Sequence, residues 1–90
     1  MRTSYKNKNI VWKFKDNNKD IYWYLNDKLH RTDGPAIERE HGTNLWLING
    51  LRHRLDGPAV EFANGGKIWY IDGNQFSYGK WLIKRKNYLK

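Results

Sequence analysis

The sequence predicts a mainly β protein: an antiparallel β-meander built from 23-residue repeats, with a short C-terminal capping helix. Three observations predict this fold. The chain aligns with itself at a spacing of 23, turn dipeptides punctuate each repeat, and the hydrophobic period changes near the end. The 90 residues have room for one domain (1–90), divided into a basic N-terminal segment (1–19), the repeats (20–77) and a basic C-terminal helix (78–90).

Two strong copies of the repeat are visible in the chain. The segment from Ile21 to Glu38 aligns with the stretch that ends at Glu61. The matched positions are Trp23 with Trp46, Asn26 with Asn49, His30 with His53, Arg31 with Arg54, and Asp33-Gly34-Pro35-Ala36 with Asp56-Gly57-Pro58-Ala59. A partial third copy contains Trp69. Upstream, residues 13–15 take the place of residues 36–38, which predicts that a strand over 10–14 closes a degenerate first unit.

Tight turns divide each repeat into short strands. Asn49-Gly50 and Asp72-Gly73 favour the positive φ angles of a type I′ hairpin, and Asn26-Asp27 is a weaker equivalent. The Asp-Gly-Pro element predicts a second bend, because its Asp carboxylate can accept a backbone N–H and its Pro donates none to a sheet. We therefore expect about seven short strands, with one Trp per repeat on a common face.

The hydrophobic period changes in the last residues of the chain. Ser77 is a good helix N-cap, and apolar residues then recur at steps of three and four, which predicts an amphipathic helix over 78–88. We expect Trp81, Leu82 and Leu89 to pack on the last repeat as a cap. The lysines of this helix are expected to point away from that contact.

Residues that recur once per repeat have a structural and a chemical interpretation. The histidines could be general bases or metal ligands with the aspartates as partners, and the tryptophans could form an exposed platform for base stacking. Side chains that recur with the fold unit are more typical of residues that hold a repeat together. The side chains assigned this structural role are Trp23, Trp46, Trp69, His30, His53, Asp33 and Asp56.

The net charge of +8 is concentrated at the two ends of the chain. Residues 1–15 and 80–90 each hold five basic residues and no acidic one, whereas residues 16–79 hold seven basic and nine acidic residues. Segregated positive charge with interleaved aromatic residues is typical of single-stranded RNA binding, and two solvated termini are the alternative. If the ends lie close together, they form one phosphate-binding patch. The predicted RNA-binding residues are Tyr5, Lys6, Lys8, Lys13, Lys15, Lys80, Lys84, Arg85, Lys86 and Tyr88.

Composition and motifs argue against several other classes of protein. The chain has no cysteine, so it has no disulfide and no thiolate metal site, and we expect neither a metal nor a cofactor. No apolar run approaches the ~18 residues of a membrane span, and Met1 to Ile10 lacks the apolar stretch of a signal peptide, which predicts a cytoplasmic protein without membrane contact. No phosphate-binding loop, nucleophile elbow or HExxH motif is present. We therefore predict a non-enzymatic protein, with a small nuclease as the less favoured alternative.

The unit Trp-x-x-Asn-Gly-x-x-His-Arg-x-Asp-Gly-Pro-Ala resembles the MORN-like repeat variant found in small phage and large-virus proteins. The copies that carry the resemblance are Trp23 to Ala36 and Trp46 to Ala59, and it covers residues 20–77. Such repeats are scaffolds, so the resemblance implies a fold and not an activity. As a small, Lys- and Asn-rich chain, the protein is also similar to TifA-like phage inhibitors of ToxN-type host ribonuclease toxins, a similarity that carries over no functional residue.

These features together predict a phage-encoded binding protein that acts in the cytoplasm of the infected host cell. Its basic ends are expected to bind RNA, and its expected protein partner is a host defence factor such as a ribonuclease toxin, which it would inhibit. The alternative is a protein-only adaptor whose partner contacts the exposed sheet face or an open strand edge.

Overall fold

A computed structural model describes residues 10–89 of the chain. This part forms ten strands followed by one helix. The strands are β1 (Val11–Lys15), β2 (Ile21–Leu25), β3 (Lys28–Leu29), β4 (Ile37–Glu38), β5 (Asn44–Leu45), β6 (Leu47–Ile48), β7 (Leu51–Arg52), β8 (Val60–Glu61), β9 (Lys67–Ile71) and β10 (Asn74–Phe76), and the helix is α1 (Tyr78–Tyr88). The mainly β class with a C-terminal helix is confirmed.

Strand pairing recurs at intervals of 23 residues. In three successive hairpins the same positions face each other, namely Phe14 with Tyr22, Ile37 with Leu45, and Val60 with Ile68. The hairpins that follow them repeat in the same way, pairing Tyr24 with Leu29, Leu47 with Arg52, and Tyr70 with Gln75. The segment upstream of the first strong copy thus pairs as its counterparts do, and the strand expected over 10–14 is β1.

All the pairs are antiparallel, and the main sheet has the order β1-β2-β4-β5-β8-β9-β10, with β3 paired to β2. The β6–β7 hairpin is a separate two-stranded sheet. The described part therefore has ten strands rather than about seven. Two features account for the difference. Trp46 lies between β5 and β6 and so divides one expected strand into two, and hairpins such as β6–β7 consist of separate strands that pair over only two residues each.

The turn residues adopt the backbone conformations that the sequence predicts. Asn49 and Gly50 have φ angles of 51° and 83°, and Asp72 and Gly73 have 51° and 85°, as a type I′ hairpin requires. In the weaker turn Asn26-Asp27, only Asn26 has a positive φ angle, of 60°. These short turns bring consecutive strands side by side, which produces the meander order.

The registers divide the strand residues between two faces, because directly paired residues share a face and successive residues alternate. One face, here called the aromatic face, carries Trp12, Phe14, Tyr22, Tyr24 and Tyr70. The opposite face, here called the loop face, carries Trp23, Trp46 and Trp69. The two Asp-Gly-Pro loops and α1 pack on the loop face.

Within residues 10–89 the buried core is small and contains one aromatic residue. The buried apolar side chains are Ala36, Ile37, Leu47, Ala59, Val60, Ile71 and Trp81. The repeat tryptophans Trp23, Trp46 and Trp69 share a face, as expected, but they are half-buried and lie outside this core. Arginine side chains, rather than apolar ones, pack on the first two of these rings.

The second repeat shows how an arginine organises the Asp-Gly-Pro loop. Arg54 Cζ lies 3.7 Å from the centre of the Trp46 ring, a cation–π contact. Its guanidinium donates hydrogen bonds to the Asp56 carboxylate (3.0 Å), the Pro58 carbonyl (3.0 Å) and the Glu61 carboxylate (3.1 Å). The cation is therefore neutralised and held flat on the ring, at the base of the loop.

The first repeat makes the same contacts 23 residues earlier. Arg31 Cζ lies 4.0 Å from the centre of the Trp23 ring, and its guanidinium bonds Asp33, the Pro35 carbonyl and Glu38. The Asp of the loop thus accepts from the arginine of its own repeat, not from a backbone N–H as the sequence suggested.

The glycine of each Asp-Gly-Pro loop leaves room for the guanidinium. A Cβ atom at Gly57 would lie 2.6 Å from Arg54 Cζ, and one at Gly34 would lie 2.9 Å from Arg31 Cζ. Any larger residue would push the arginine off its tryptophan. A close approach, and not a positive φ, therefore requires glycine at these two positions.

The C-terminal helix begins where the sequence predicts. The Ser77 side chain accepts a hydrogen bond from the Lys80 backbone N–H and caps α1. Trp81 is 4% exposed and packs on Trp69, with ring centres 4.5 Å apart. Leu82 and Leu89 are 39% and 54% exposed, so the expectation that they dock on the last repeat is wrong. The reason is that Arg85 takes part in the docking instead.

We expect Gly57→Ala to destabilise the protein by about 1–2 kcal/mol, because the new methyl group displaces the Arg54 guanidinium from Trp46. In an Arg54→Ala background the same change is expected to cost nothing, since no guanidinium remains to be displaced. Urea denaturation followed by tryptophan fluorescence measures both. The control is Gly79→Ala in α1, which meets no atom within 4 Å and is expected to stabilise by about 0.5–1 kcal/mol. Equal costs of Gly57→Ala in both backgrounds would contradict this account.

Candidate functional site

The structure describes two of the predicted N-terminal RNA-binding residues. Tyr5, Lys6 and Lys8 lie outside the described residues. Lys13 and Lys15 lie on β1 and are exposed. Both are on the loop face, where Lys13 Nζ lies 5.0 Å from the centre of the Trp23 ring.

The predicted C-terminal residues lie on α1. Lys80, Lys84 and Lys86 are exposed, and none of them takes part in a salt bridge with another residue of the part 10–89. Tyr88 is 52% exposed, and its hydroxyl lies 3.4 Å from the Asp72 carboxylate. These lysines are available to an anion at the surface of the helix.

Arg85 has a different environment from the lysines beside it. It is half-buried, its Nε donates to the Leu55 carbonyl at 2.6 Å, and its Cζ lies 5.5 Å from the centre of the Trp81 ring. The guanidinium therefore ties α1 to the second Asp-Gly-Pro loop. This contact leaves it less free to bind a phosphate than the sequence suggests.

The described residues of the two basic regions lie at opposite edges of the sheet. β1 is the first strand in the order and β10, next to α1, is the last. Six inter-strand steps of ~4.8 Å place them about 29 Å apart. The condition for a single patch, that the strand near Ile10 and the helix near Trp81 lie close together, is therefore not met by the residues described. Only the strand order reveals this, because nothing local in either segment encodes its position in the sheet.

The aromatic face contains a cluster in which two members, Trp12 and Phe14, were not singled out by sequence reasoning. Trp12 stacks on Tyr24 with ring centres 4.1 Å apart and an interplanar angle of 11°, and Phe14 lies 6.2 Å from Tyr22. Trp12 is 42% and Phe14 49% exposed. The alternation Trp12-Lys13-Phe14 is the signal that could have found them, because a period of two puts both rings on one side of a strand.

Two arginines lie on the same face as these rings. Arg52 is exposed, and its Cζ lies 5.4 Å from the centre of the Tyr70 ring. Arg39 donates to the Tyr22 hydroxyl at 3.1 Å and forms an ion pair with Asp20 at 3.3 Å. A groove of 350 Å³ lies between the two arginines. The aromatic face thus combines flat apolar rings with cations. A ligand that carries both negative charge and flat rings can stack on the former and pair with the latter.

The repeat histidines join neighbouring repeats. The His30 Nδ1 atom accepts the Asn49 backbone N–H at 2.9 Å, and the His53 Nδ1 atom accepts the Asp72 backbone N–H at 3.0 Å. Each histidine therefore contacts the hairpin turn of the following repeat, with Nδ1 as the acceptor. Neither pairs with the aspartate of its own loop.

No group of three or more potential metal ligands occurs among residues 10–89. No protein-family model, curated protein or solved structure matches this chain. The MORN-like and TifA-like resemblances therefore stay predictions. No helix in the described part is long and apolar enough to cross a membrane.

Asp20 is the residue whose acidity the fold changes most clearly. Its Oδ1 accepts the Glu40 backbone N–H at 2.8 Å, and this hydrogen bond lowers the pKa of the Asp20 carboxyl. Partial burial acts in the opposite direction, and the Arg39 ion pair adds to the lowering. The charged carboxylate thus anchors the turn after β4 next to the start of β2.

We expect His53→Ala to destabilise the protein by about 1 kcal/mol, because the Asp72 backbone N–H loses its acceptor. In His53→Asn, the side-chain oxygen lies near the former Nδ1 position and restores most of this loss, whereas in His53→Gln it lies near Nε2 and does not. Midpoints of urea denaturation measure the three variants against the wild type. Equal stabilities for the Asn and Gln variants would exclude a specific Nδ1 acceptor.

The lowered pKa of Asp20 predicts a pH dependence of stability. Because the folded-state pKa lies below the unfolded one, the carboxylate stabilises the fold above its ordinary pKa, and this contribution is lost as the pH falls through the lowered value. The difference in melting temperature between wild type and Asp20→Asn is therefore expected to be largest near neutral pH and to shrink in acid. Asp27→Asn, in the exposed β2–β3 turn, is the control. A difference independent of pH would attribute the effect to packing instead of charge.

Proposed function

We propose that this protein binds single-stranded RNA on the aromatic face, without catalysing a reaction. The observation that supports this proposal is the exposed Trp12–Tyr24 and Phe14–Tyr22 cluster, with arginines on the same face. Bases would stack on the rings, and phosphates would lie against Arg52. The described lysines of the basic ends lie on β1 and α1, at the two edges of the sheet, where they would attract a polyanion without lying on the aromatic face itself.

Stacking energetics favour this use of an exposed ring. Leaving two large aromatic side chains half exposed gives up apolar burial that a chain of 90 residues needs for stability. Each stacked base contributes about 1–3 kcal/mol to binding, and stacking tolerates any base. The site therefore suits a single strand, whose bases are free, better than a duplex, whose bases are already stacked.

The charge of the face fits a polyanion. The two acidic residues in the strands of the described part, Glu38 and Glu61, lie on the loop face, whereas the Asp16 carboxylate accepts from the Tyr22 hydroxyl and the Asp20 carboxylate neutralises Arg39 at the edge of the aromatic face. Arg52 forms no salt bridge with another described residue, so its charge is available on this face. Binding through such cations would weaken with salt, as counterions are released from the phosphates.

Inhibition of a host defence factor such as a ribonuclease toxin would follow from RNA binding, if the toxin carries its RNA to this face. This part of the expectation stays a prediction.

We expect Phe14→Ala to weaken binding of a fluorescein-labelled 12-nucleotide oligouridylate about 5- to 100-fold, because one stacked base loses its platform. Val11→Ala is the matched control, since Val11 is exposed on the same strand but on the loop face. Fluorescence anisotropy at two salt concentrations measures both. Equal effects of the two substitutions would place the RNA elsewhere.

A second pair of variants distinguishes the position of a cation from its effect on the net charge. Arg52→Ala and Lys28→Ala each remove one exposed cation, but Arg52 lies on the aromatic face and Lys28 on the loop face. Arg52→Ala is expected to weaken binding several-fold more than Lys28→Ala. A blunt-ended RNA duplex that binds as tightly as the single strand would contradict the stacking model.

A further inference from the structure

Two open grooves of the same construction lie on the loop face, 23 residues apart. Trp23 and Leu25 line the first groove together with residues 30–33. Trp46 and Ile48 line the second, between the loop segments 31–34 and 53–56. The second groove has a volume of 670 Å³, within the range of about 300–1,000 Å³ that is usual for ligand pockets.

The corresponding position in the third repeat is filled by the chain's own helix. Trp81 packs on Trp69, which is the counterpart of Trp46, and its indole Nε1 donates to the Arg54 carbonyl at 3.0 Å. One helical turn later, Arg85 Nε donates to the Leu55 carbonyl at 2.6 Å. The helix thus binds this position through an indole and a guanidinium four residues apart, each of which donates to a backbone carbonyl of the preceding loop.

The open second groove offers the same two acceptors one repeat earlier. The counterparts of the Arg54 and Leu55 carbonyls are those of Arg31 and Thr32, and no hydrogen bond between described residues ends on either. The second and third repeats differ in the residue next to the tryptophan. Arg54 lies on Trp46, whereas Ser77 is the counterpart of that arginine next to Trp69. A ring that entered the second groove would therefore contact a guanidinium as well as an indole.

Charge selects which helix fits the second groove. Asp33 and Asp56 stand at its rim with side chains 84% and 86% exposed. The two arginines that line the groove have side chains only 20% and 18% exposed, so the carboxylates are the charges that its rim presents to solvent. A basic helix such as α1, with Lys80, Lys84 and Lys86, matches this rim, and an acidic one does not.

We propose that the second groove binds a basic amphipathic helix of a partner protein, which inserts an aromatic ring and, one turn later, a cation, as α1 does in the third repeat. This surface lies on the opposite side of the sheet from the aromatic face. The inference is therefore independent of RNA binding, and one surface can be lost without the other.

The test uses the full chain, labelled with ¹⁵N, and an unlabelled peptide with the sequence of residues 77–89. Saturable shifts are expected at the amides of Thr32, Asp33 and Leu55, with the Trp81 indole signal of the protein unchanged. A peptide with alanine in place of its tryptophan is expected to bind at least about tenfold more weakly, since a central aromatic anchor dominates such interfaces.

Matched protein variants identify the acidic rim. Asp33→Lys and Asp27→Lys change the net charge equally, but Asp27 lies in the β2–β3 turn and does not line the groove. Asp33→Lys is expected to weaken peptide binding about threefold or more relative to Asp27→Lys. Circular dichroism verifies that both variants fold.

Four outcomes would overturn the proposal. The first two are no binding at millimolar peptide and equal affinities of the two lysine variants. The third is a peptide-induced shift of the Trp81 indole signal, which would show that the peptide displaces α1. The fourth is a shift of the groove amides that depends on protein concentration in the absence of peptide. The last result would assign the groove to a second copy of the chain. RNA binding is measured in parallel on the same variants, and its loss or retention has no bearing on the groove.

Discussion

The contact on which this fold depends is an arginine held flat between a tryptophan ring and a glycine. Arg54 lies on Trp46 at 3.7 Å, with Gly57 so close that a methyl group would not fit. A half-buried guanidinium is costly unless its charge and its N–H groups are satisfied, and two carboxylates and a carbonyl satisfy them here. The spacing of the Trp, His-Arg and Asp-Gly-Pro elements follows from this one arrangement.

The same arrangement gives the two faces of the sheet different electrical characters. On the loop face the loop arginines are half-buried and paired with carboxylates, so Asp33 and Asp56 are the exposed charges at the rim of the second groove. The aromatic face has the rings and Arg52, with no strand acid among the described residues. A protein with such a division is suited to hold a polyanion on one side and a basic helix on the other.

The end of the chain shows how the stack is closed. The third repeat lacks the arginine and the Asp-Gly-Pro loop, and α1 covers Trp69 with Trp81 instead. An unpaired last repeat would expose an apolar face, so a helix that places an indole there serves as a cap. Repeats without such a helix keep an open groove, and this contrast makes the loop face of the second repeat a candidate docking surface.

The amino-acid sequence by itself determined the local features of this protein. The 23-residue spacing, the Asn-Gly and Asp-Gly turns, the strand near Phe14 and the Ser77 cap depend on near neighbours, and all appear in the structure at the expected positions. Only the tertiary structure decided that the described lysines of the basic ends lie at opposite edges, that Trp23 and Trp46 pack under arginines, and that Arg85 anchors the helix. These features depend on strand order and on contacts between residues far apart in the chain, such as Trp81 with the Arg54 carbonyl 27 positions away. No local pattern of residues encodes them.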